Sequence, residues 1–151
     1  MPTITVSEQF DCAPELAFTT LADFPNYPDF IEAIISTKLL SEQTTGLSTR
    51  FSETRIMMGR EATEEMEVIE FTAPSKFVLY SFAHGTEYHS THTFEPNENG
   101  TKVTLEFRAK PKTLMAKILS GLFSRMIGQV ADMLQKDLRD AKIEAEKRAA
   151  T

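Results

Sequence analysis

Hydrophobic and polar positions follow two different periods along the first thirty residues. Residues 3–10 alternate between apolar and polar, as expected of a strand with one buried face. A short helix is predicted from Pro14 to Ala22, where apolar residues recur at helical spacing and a proline suits the first turn. Because Pro25 and Pro28 break this helix, a second short helix is expected only around Asp29 to Ala33.

From Ile34 to Lys110 the pattern is typical of about six strands in consecutive hairpins. Clusters of turn residues separate them at 43–46, 58–59, 72–75, 84–85 and 96–100. After Pro111, apolar residues recur every four positions from Leu114 to Leu138, which predicts one long helix. The sequence therefore predicts a single α+β domain over residues 1–151. In it, a curved antiparallel sheet of six to seven strands wraps around the C-terminal helix.

The two-residue loops Met58-Gly59 and His84-Gly85 predict which residues lie opposite each other in the sheet. One face then carries Phe51, Met57, Met66, Val68, Phe77, Leu79, Phe94, Val103, Leu105 and Phe107. The same face also carries Glu53, Arg55, Glu64, Ser81, Tyr88, Ser90 and His92. Burying such groups without partners costs about 1–3 kcal/mol each. A partly wet cavity between sheet and helix is therefore expected.

Two polar clusters on this face are candidate sites, and each has a structural alternative. Glu53 and Glu64 are expected to face each other with Arg55 diagonal to them. They could hold a ligand carbonyl or hydroxyl, act as an acid and base, or form a structural ion network.

His92, with Tyr88 and Ser90 on the same face, forms the second cluster. The histidine could polarise a carbonyl for cyclisation or dehydration, or it could be a core histidine bonded to a neighbour. His89 and His92 point to opposite faces of a strand, so no metal site is expected from them. No cofactor is expected either.

The opposite face of the sheet is mostly polar but carries an apolar patch. Val78, Tyr80 and Phe82 form it, with Ile69 and Phe71 beside them. The patch could be a homodimer surface, or a loop or the curvature of the sheet could bury these residues.

Composition narrows the functional classes. A net charge of −6 argues against non-specific binding to nucleic acid or to anionic membranes. The single Cys12 excludes an intramolecular disulfide framework and suits a reducing compartment. The start of the chain lacks the pattern of a signal peptide, and no apolar run is long enough for stable membrane insertion. We therefore expect a cytoplasmic protein.

Two segments resemble a known superfamily. The run Ala13 to Phe30, with its Leu-Ala-Asp-Phe-Pro-Asn-Tyr-Pro core, is similar to the opening of START-like, polyketide cyclase/dehydrase (SRPBCC) proteins. The hairpin Asn99 to Thr104 resembles the turn before their last strand. The resemblance implies a helix-grip fold with a hydrophobic cavity, in which relatives bind lipids, sterols, quinones, hormones or polyketides. A minority catalyse cyclisation or dehydration, and there is no universal catalytic set.

The resemblance also implies that Tyr27 and Phe30 lie near one end of the cavity. From the C-terminal helix, Met115, Leu119, Phe123 and Met126 could line the cavity or simply pack on the sheet. Gly121 and Gly128 could widen the cavity or permit a close contact, and a packing role is expected because each destabilises a helix relative to alanine. The complete predicted ligand-binding set is Tyr27, Phe30, Phe51, Glu53, Arg55, Glu64, Met66, Leu79, Ser81, Tyr88, Ser90, His92, Phe107, Met115, Leu119, Phe123 and Met126.

The expected function is that of a carrier or sensor for a small hydrophobic molecule with a polar end, such as a lipid, quinone or polyketide. A cyclase/dehydratase-type enzyme and a protein-interaction module without a relevant ligand are the alternatives. Cavity size separates them, because a volume well below about 300 Å³ would favour the interaction module.

Overall fold

Seven antiparallel strands form one sheet in the order β1-β7-β6-β5-β4-β3-β2. The structure, a computed structural model, describes residues 3–151 except the side chains of Leu122 and Phe123. The strands are β1 (Thr3–Phe10), β2 (Ile34–Leu39), β3 (Arg50–Met57), β4 (Arg60–Thr72), β5 (Lys76–Ala83), β6 (Thr86–Asn97) and β7 (Gly100–Pro111).

Four α-helices accompany the sheet: α1 (Pro14–Leu21), α2 (Tyr27–Phe30), α3 (Leu114–Arg125) and α4 (Ile127–Ala149). The predicted α+β helix-grip architecture is confirmed. The second short helix begins and ends earlier than predicted, because Ile31 is already extended, with φ −105° and ψ 106°. Within the part of the chain that the structure describes, no helix is long and apolar enough to cross a membrane.

The predicted hairpin registers are confirmed. Met58 and Gly59 have φ of 52° and 82°, and His84 and Gly85 have 53° and 75°. Two successive residues in the left-handed region form the tight turn that matches the twist of paired strands. The observed pairs therefore include Glu53 with Glu64, Phe77 with His92, and Leu79 with Ser90.

A β-bulge overturns part of the predicted outer patch. The register of β4 against β5 shifts between Val68 and Glu70, so the side of the sheet that Phe71 faces is reversed. Phe71 instead packs edge-on against Phe18, with ring centroids 5.1 Å apart. Val78 is buried on its strand, whereas Phe82 is 56% exposed.

The predicted single C-terminal helix is in fact two helices that meet at Met126. α4 covers the concave face of the sheet with Val130, Leu134 and Leu138 buried. α3 leaves the sheet, and Ala116 is its buried residue among those described. The continuous four-residue period could not reveal this break, because it persists on both sides of Met126.

The two helix glycines do not serve close packing, contrary to expectation. A side-chain carbon placed at Gly121 or at Gly128 would meet nothing within 4 Å. Neither residue therefore brings a neighbour close, and both are exposed and lie outside the cavity lining, so they do not widen the cavity either.

An aromatic cluster fills the end of the concave face beside α1. Phe24 stacks on Phe51 at 4.9 Å, and Phe77 meets Phe18 and Phe24 edge-on at 5.6 Å. Aromatic rings fill this end, and the main cavity lies further along α4.

Candidate functional site

A cavity of about 220 Å³ lies between the concave face of the sheet and α4. Met58, in the β3–β4 turn, lines it and is 42% exposed, which places an opening at this turn. The walls are mostly apolar: Leu21, Ile31, Ile34, Met57, Met58, Ala62, Met66, Leu79, Leu105, Phe107, Met126, Val130, Met133, Leu134 and Leu138. The polar lining residues are Tyr27, Glu53, Arg55, Glu64, Tyr88, Ser90, His92 and Asp137.

Eleven of the residues predicted from the sequence line this cavity. They are Tyr27, Glu53, Arg55, Glu64, Met66, Leu79, Tyr88, Ser90, His92, Phe107 and Met126. The structure thus brings together the two polar clusters that the strand register predicted, in one enclosed space. Ligand binding by these residues stays a prediction.

Five predicted residues lie outside the cavity. Phe51 packs within the aromatic cluster, and Ser81 is buried but does not line the cavity. Phe30 packs beneath the Arg148 guanidinium, 5.5 Å from its carbon to the ring centroid. Met115 and Leu119 are exposed because α3 turns away from the sheet. The side chain of Phe123, also predicted, is outside the described residues.

Arg55 forms the centre of a buried ion network at one end of the cavity. Its Nε donates to Glu53 Oε1 at 2.9 Å, and its Nη2 donates to Asp137 Oδ2 at 2.6 Å. Glu53 and Arg55 are both 7% exposed. The strand register places Glu53 and Arg55 on one face of β3, and α4 supplies Asp137 from above.

One cation shared by several carboxylates leaves this network with excess negative charge. Burial alone would lower the pKa of Arg55, but Asp137 and then Glu53 hold that pKa above its usual value. Burial raises the pKa of Asp137 to about 6 against the opposing effect of Arg55. Burial, reinforced by Glu53, also raises the pKa of Glu64. The guanidinium is therefore always charged, whereas Asp137 can exchange a proton near neutral pH.

His92 is held neutral on the sheet side of the cavity. Its ring stacks on Phe77, with centroids 4.4 Å apart and planes at 14°. Burial lowers its pKa to about 4. A neutral imidazole has one nitrogen that accepts a proton or a hydrogen bond.

Two tyrosines shape the wall without adding charge. The Tyr27 hydroxyl donates to the Leu21 carbonyl, and burial raises its pKa well above the usual range. Tyr88 stacks on Phe107 at 5.5 Å and also lines a second pocket of about 140 Å³ beneath α3. Tyr88 therefore forms the partition between the two spaces.

Three polar atoms at the cavity are buried without a hydrogen-bond partner in the described chain. They are Arg55 Nη1, Asp137 Oδ1 and His92 Nδ1. They include a donor on the guanidinium and an acceptor on the carboxylate. A buried polar group without a partner costs about 1–3 kcal/mol, so each atom favours a polar group inside the cavity.

The family profile described as "Polyketide cyclase / dehydrase and lipid transport" matches residues 1–142. The chain belongs to this family. No protein with a curated description matches it.

Several solved structures share this fold at low sequence identity. TTHA0849 from Thermus thermophilus is 18% identical with a TM-score of 0.80, over 99% of this chain and all of that one. The di-domain ARO/CYC StfQ from the steffimycin pathway is 17% identical with a TM-score of 0.73 over 99% of this chain. The di-domain ARO/CYC BexL is 18% identical with a TM-score of 0.76 over 96%. This chain spans about half of each di-domain protein.

Sequence reasoning missed one polar residue that lines this cavity, Asp137. It follows Leu134 by three residues and Val130 by seven, so it lies on the inward side of α4. A search restricted to apolar positions passes over it. The signal that could have found it is a carboxylate inside the apolar stripe of a helix that covers a buried arginine.

Proposed function

We propose that the protein is a carrier or sensor that binds a compact hydrophobic molecule with one polar end in the cavity between the sheet and α4. The observation that carries the proposal is the set of unpartnered atoms on Arg55, Asp137 and His92 at an otherwise apolar cavity. Family membership supports a hydrophobic ligand of the lipid, quinone or polyketide kind.

The volume restricts the size of this ligand. About 220 Å³ lies below the roughly 300–1,000 Å³ typical of drug-sized ligand sites, so a long acyl chain does not fit the main cavity alone. A fused-ring or short-chain molecule is the better match. A second pocket of about 140 Å³ lies on the other side of Tyr88.

The polar end is expected to carry a carbonyl or hydroxyl oxygen. The guanidinium of Arg55 has a donor left for such an oxygen, and Asp137 can accept from a hydroxyl. A ligand carboxylate is disfavoured, because the Arg55 network already has more carboxylates than cations.

A cavity-filling variant tests the proposal directly. Ala62 lines the cavity opposite Arg55, whereas Thr63, the next residue, is on the exposed face of the same strand. Ala62→Trp should abolish saturable binding of the neutral fluorescent probe N-phenyl-1-naphthylamine, and Thr63→Trp should preserve it. Native mass spectrometry of protein from its own cell would show the same contrast for any co-purified organic molecule.

Equal binding by both variants would refute the proposed site, provided that circular dichroism shows both to be folded. Retention of probe binding by Ala62→Trp would place the apolar site elsewhere. Weak, non-saturable binding by the wild-type protein would favour the interaction module.

A cyclase or dehydratase is the second candidate, because His92 is neutral and its Nδ1 is unpartnered at the cavity. In this scheme His92 would take a proton from a carbon beside a carbonyl, the enolate would attack a second carbonyl of the same chain, and the imidazolium would return its proton to the new alkoxide. For loss of water, His92 would remove the second proton of that carbon while Asp137, whose pKa is about 6, protonates the departing hydroxyl. The names of StfQ and BexL, both ARO/CYC proteins, support this chemistry in relatives of the fold.

Turnover of a linear poly-β-ketone separates the two candidates. An enzyme would form a ring and lose activity by about 10²–10⁴-fold in His92→Gln, the range for a general base. A carrier would bind such a molecule and release it unchanged, in both the wild type and the variant.

A homodimer through the outer face and a cytoplasmic location complete the proposal. Phe82 and Ile69 are 56% and 43% exposed, whereas Val78 is buried, so the available patch is narrow. Analytical ultracentrifugation of the wild type and Phe82→Ser would test the dimer.

The buried free thiol of Cys12 is consistent with a reducing compartment.

A further inference from the structure

α3 presents an apolar surface that nothing in the described chain covers. Leu114, Met115, Ile118 and Leu119 are 77%, 64%, 66% and 52% exposed. Single exposed apolar residues are ordinary, but four within six residues of one helix form a continuous patch. A patch of this kind on a soluble domain marks an interaction surface.

The charge around α3 differs from that of the rest of the molecule. Residues 107–131 contain five of the sixteen basic residues and none of the 22 acidic ones. This segment therefore has a formal charge of +5, and the remainder of the chain has −11. Arg108 and Lys112 pair with Glu106 and Glu87 outside the segment, so Lys110, Lys117 and Arg125 supply its unpaired positive charge within the described chain. The net charge of −6 therefore results from an uneven distribution, with positive charge around α3 and negative charge elsewhere.

The basic residues of α3 border its apolar surface. At about 100° per residue, Arg125 projects between Leu114 and Ile118 around the helix axis, and Lys117 lies beside Leu114. Both cations are exposed and form no ion pair within residues 3–151. Lys112, just before the helix, pairs with Glu87 at 3.5 Å, and Lys110 is exposed.

We propose that α3 docks the protein onto an anionic lipid surface. A helix of this kind lies in the interface with its apolar side chains in the acyl boundary and its cations at the lipid headgroups. The acidic remainder of the molecule is repelled by the same surface, so the charge distribution orients the protein with α3 facing the membrane. The docking is peripheral and reversible.

Charge argues against a second copy of this chain as the occupant of the surface. Two α3 helices packed face to face would bring two Lys117 and two Arg125 side chains together without carboxylates to pair them. An anionic surface supplies the missing counter-charge.

The surroundings of α3 hold it in a position suited to this role. Lys112 and Thr113 backbone amides donate to the Gly85 carbonyl at 2.7 and 3.3 Å, and Thr113 Oγ1 accepts from the Ala116 amide at 3.1 Å. Ala116 and Leu119 line the second pocket, next to the cavity. Docking would therefore bring a membrane-dissolved ligand to the cavity. This consequence rests on the proposed function, whereas docking itself does not.

Co-sedimentation with vesicles tests the proposal. Vesicles of phosphatidylcholine with about 30% phosphatidylglycerol should pellet the wild-type protein, and vesicles of phosphatidylcholine alone should not. Ile118→Ser should weaken binding about tenfold, because it removes a buried aliphatic side chain from the lipid contact. Ile143→Ser is the matched control, since Ile143 is 62% exposed on α4, and it should bind like the wild type.

Charge reversal provides the second arm. Lys117→Glu should weaken binding about fivefold or more, the effect of one basic residue near an anionic surface, and added salt should reduce the difference. Lys38→Glu changes the net charge equally at another exposed site, on β2, and should have little effect. Equal losses in both variants would show that only net charge matters and would overturn the proposal.

A fluorescent reporter locates the contact without relying on affinity. The chain has no tryptophan, so Met115→Trp introduces a single indole on α3. Its emission should shift to the blue on adding anionic vesicles, whereas Phe82→Trp on the outer sheet face should not respond. No shift at residue 115 would overturn the proposal. So would a wild-type dimer that Ile118→Ser converts to monomer, because a second copy would then cover α3.

Discussion

Arg55 holds two buried carboxylates at once, so its loss is expected to be costly. Arg55→Met leaves Glu53 and Asp137 buried without a cation, which typically costs about 3–5 kcal/mol. Arg50→Met, on the exposed face of the same strand with a 3.9 Å ion pair to Glu65, should change stability by less than about 0.5 kcal/mol. Urea denaturation at pH 7 measures both. Similar small losses would show the network to be solvated.

Asp137 and His92 are expected to give stability opposite pH dependences. The folded pKa of Asp137 is about 6, above its ordinary 3.8, so its contribution is present at low pH and lost as the pH rises through 6. The folded pKa of His92 is about 4, below its ordinary 6.5, so its contribution is present above pH 6.5 and lost as the pH falls toward 4. Each shift corresponds to about 3 kcal/mol at most.

Two variants separate these contributions, which largely cancel in the wild type. Stability of Asp137→Asn should fall more steeply than that of the wild type as the pH drops from 6.5 to 4. Stability of His92→Gln should fall as the pH rises over the same window. Chemical denaturation at several pH values measures both slopes, and slopes of the same sign would contradict the assigned pKa directions.

For individual residues, the sequence predicted which side chains meet across neighbouring strands, but not which side chain of a helix joins them. Two-residue turns allow only one register, so the placement of Glu53, Arg55 and His92 on one face followed directly. Asp137 was not predicted, because its contact with β3 depends on how α4 packs on the sheet. No local sequence pattern encodes that packing. Phe71 was misplaced because the bulge at Val68/Glu70 has no distinctive residue such as glycine.

The turn between β5 and β6 anchors α3, and its glycine is expected to be irreplaceable. A side-chain carbon at Gly85 would lie 2.4 Å from Thr113 Oγ1, whereas one at Gly59 would meet nothing within 4 Å. Both glycines have positive φ, so Gly59→Ala measures the backbone cost alone, about 1–2 kcal/mol. Gly85→Ala should cost more and should accelerate amide exchange in α3. Equal thermal denaturation midpoints would contradict the anchoring.

α3 is expected to be less stable locally than α4, because it buries little apolar surface. Gly121→Ala should slow hydrogen exchange of the α3 amides by up to about fivefold, since alanine favours a helix by up to about 1 kcal/mol over glycine. Gly128→Ala, in the first turn of α4, should leave those amides unchanged. Faster exchange in Gly121→Ala would reveal a contact that the glycine serves.

The boundaries of helices and strands were predictable where a single residue type determines the backbone conformation. Prolines mark the start of α1, and left-handed turns separate β3 from β4 and β5 from β6. The end of α3 was not predictable, because Leu122 and Met126 extend the same period that Val130 continues. A bend in a helix with an unbroken apolar period is decided by tertiary packing.

In the molecule as a whole, α4 covers both the hydrophobic core and the cavity. Leu138 is 1% exposed and contributes to both. Leu138→Ala should therefore lower the free energy of unfolding by about 2–5 kcal/mol and enlarge the cavity. Ile143→Ala, on the exposed side of the same helix, should cost less than about 0.5 kcal/mol. Thermal and urea unfolding measure both, and comparable losses would mean that α4 is not the main cover.

The order of elements has a consequence for how the protein is made. β1 pairs with β7 at one edge of the sheet, and α4 covers the concave face. During synthesis on a ribosome, six strands and the aromatic cluster therefore exist before either partner has emerged. Until then the nascent sheet has an unpaired edge and a bare apolar face, the surfaces that chaperones bind and that cause aggregation. Completion of folding must wait for residues 100–149, so the rate at which this segment is translated becomes a determinant of yield.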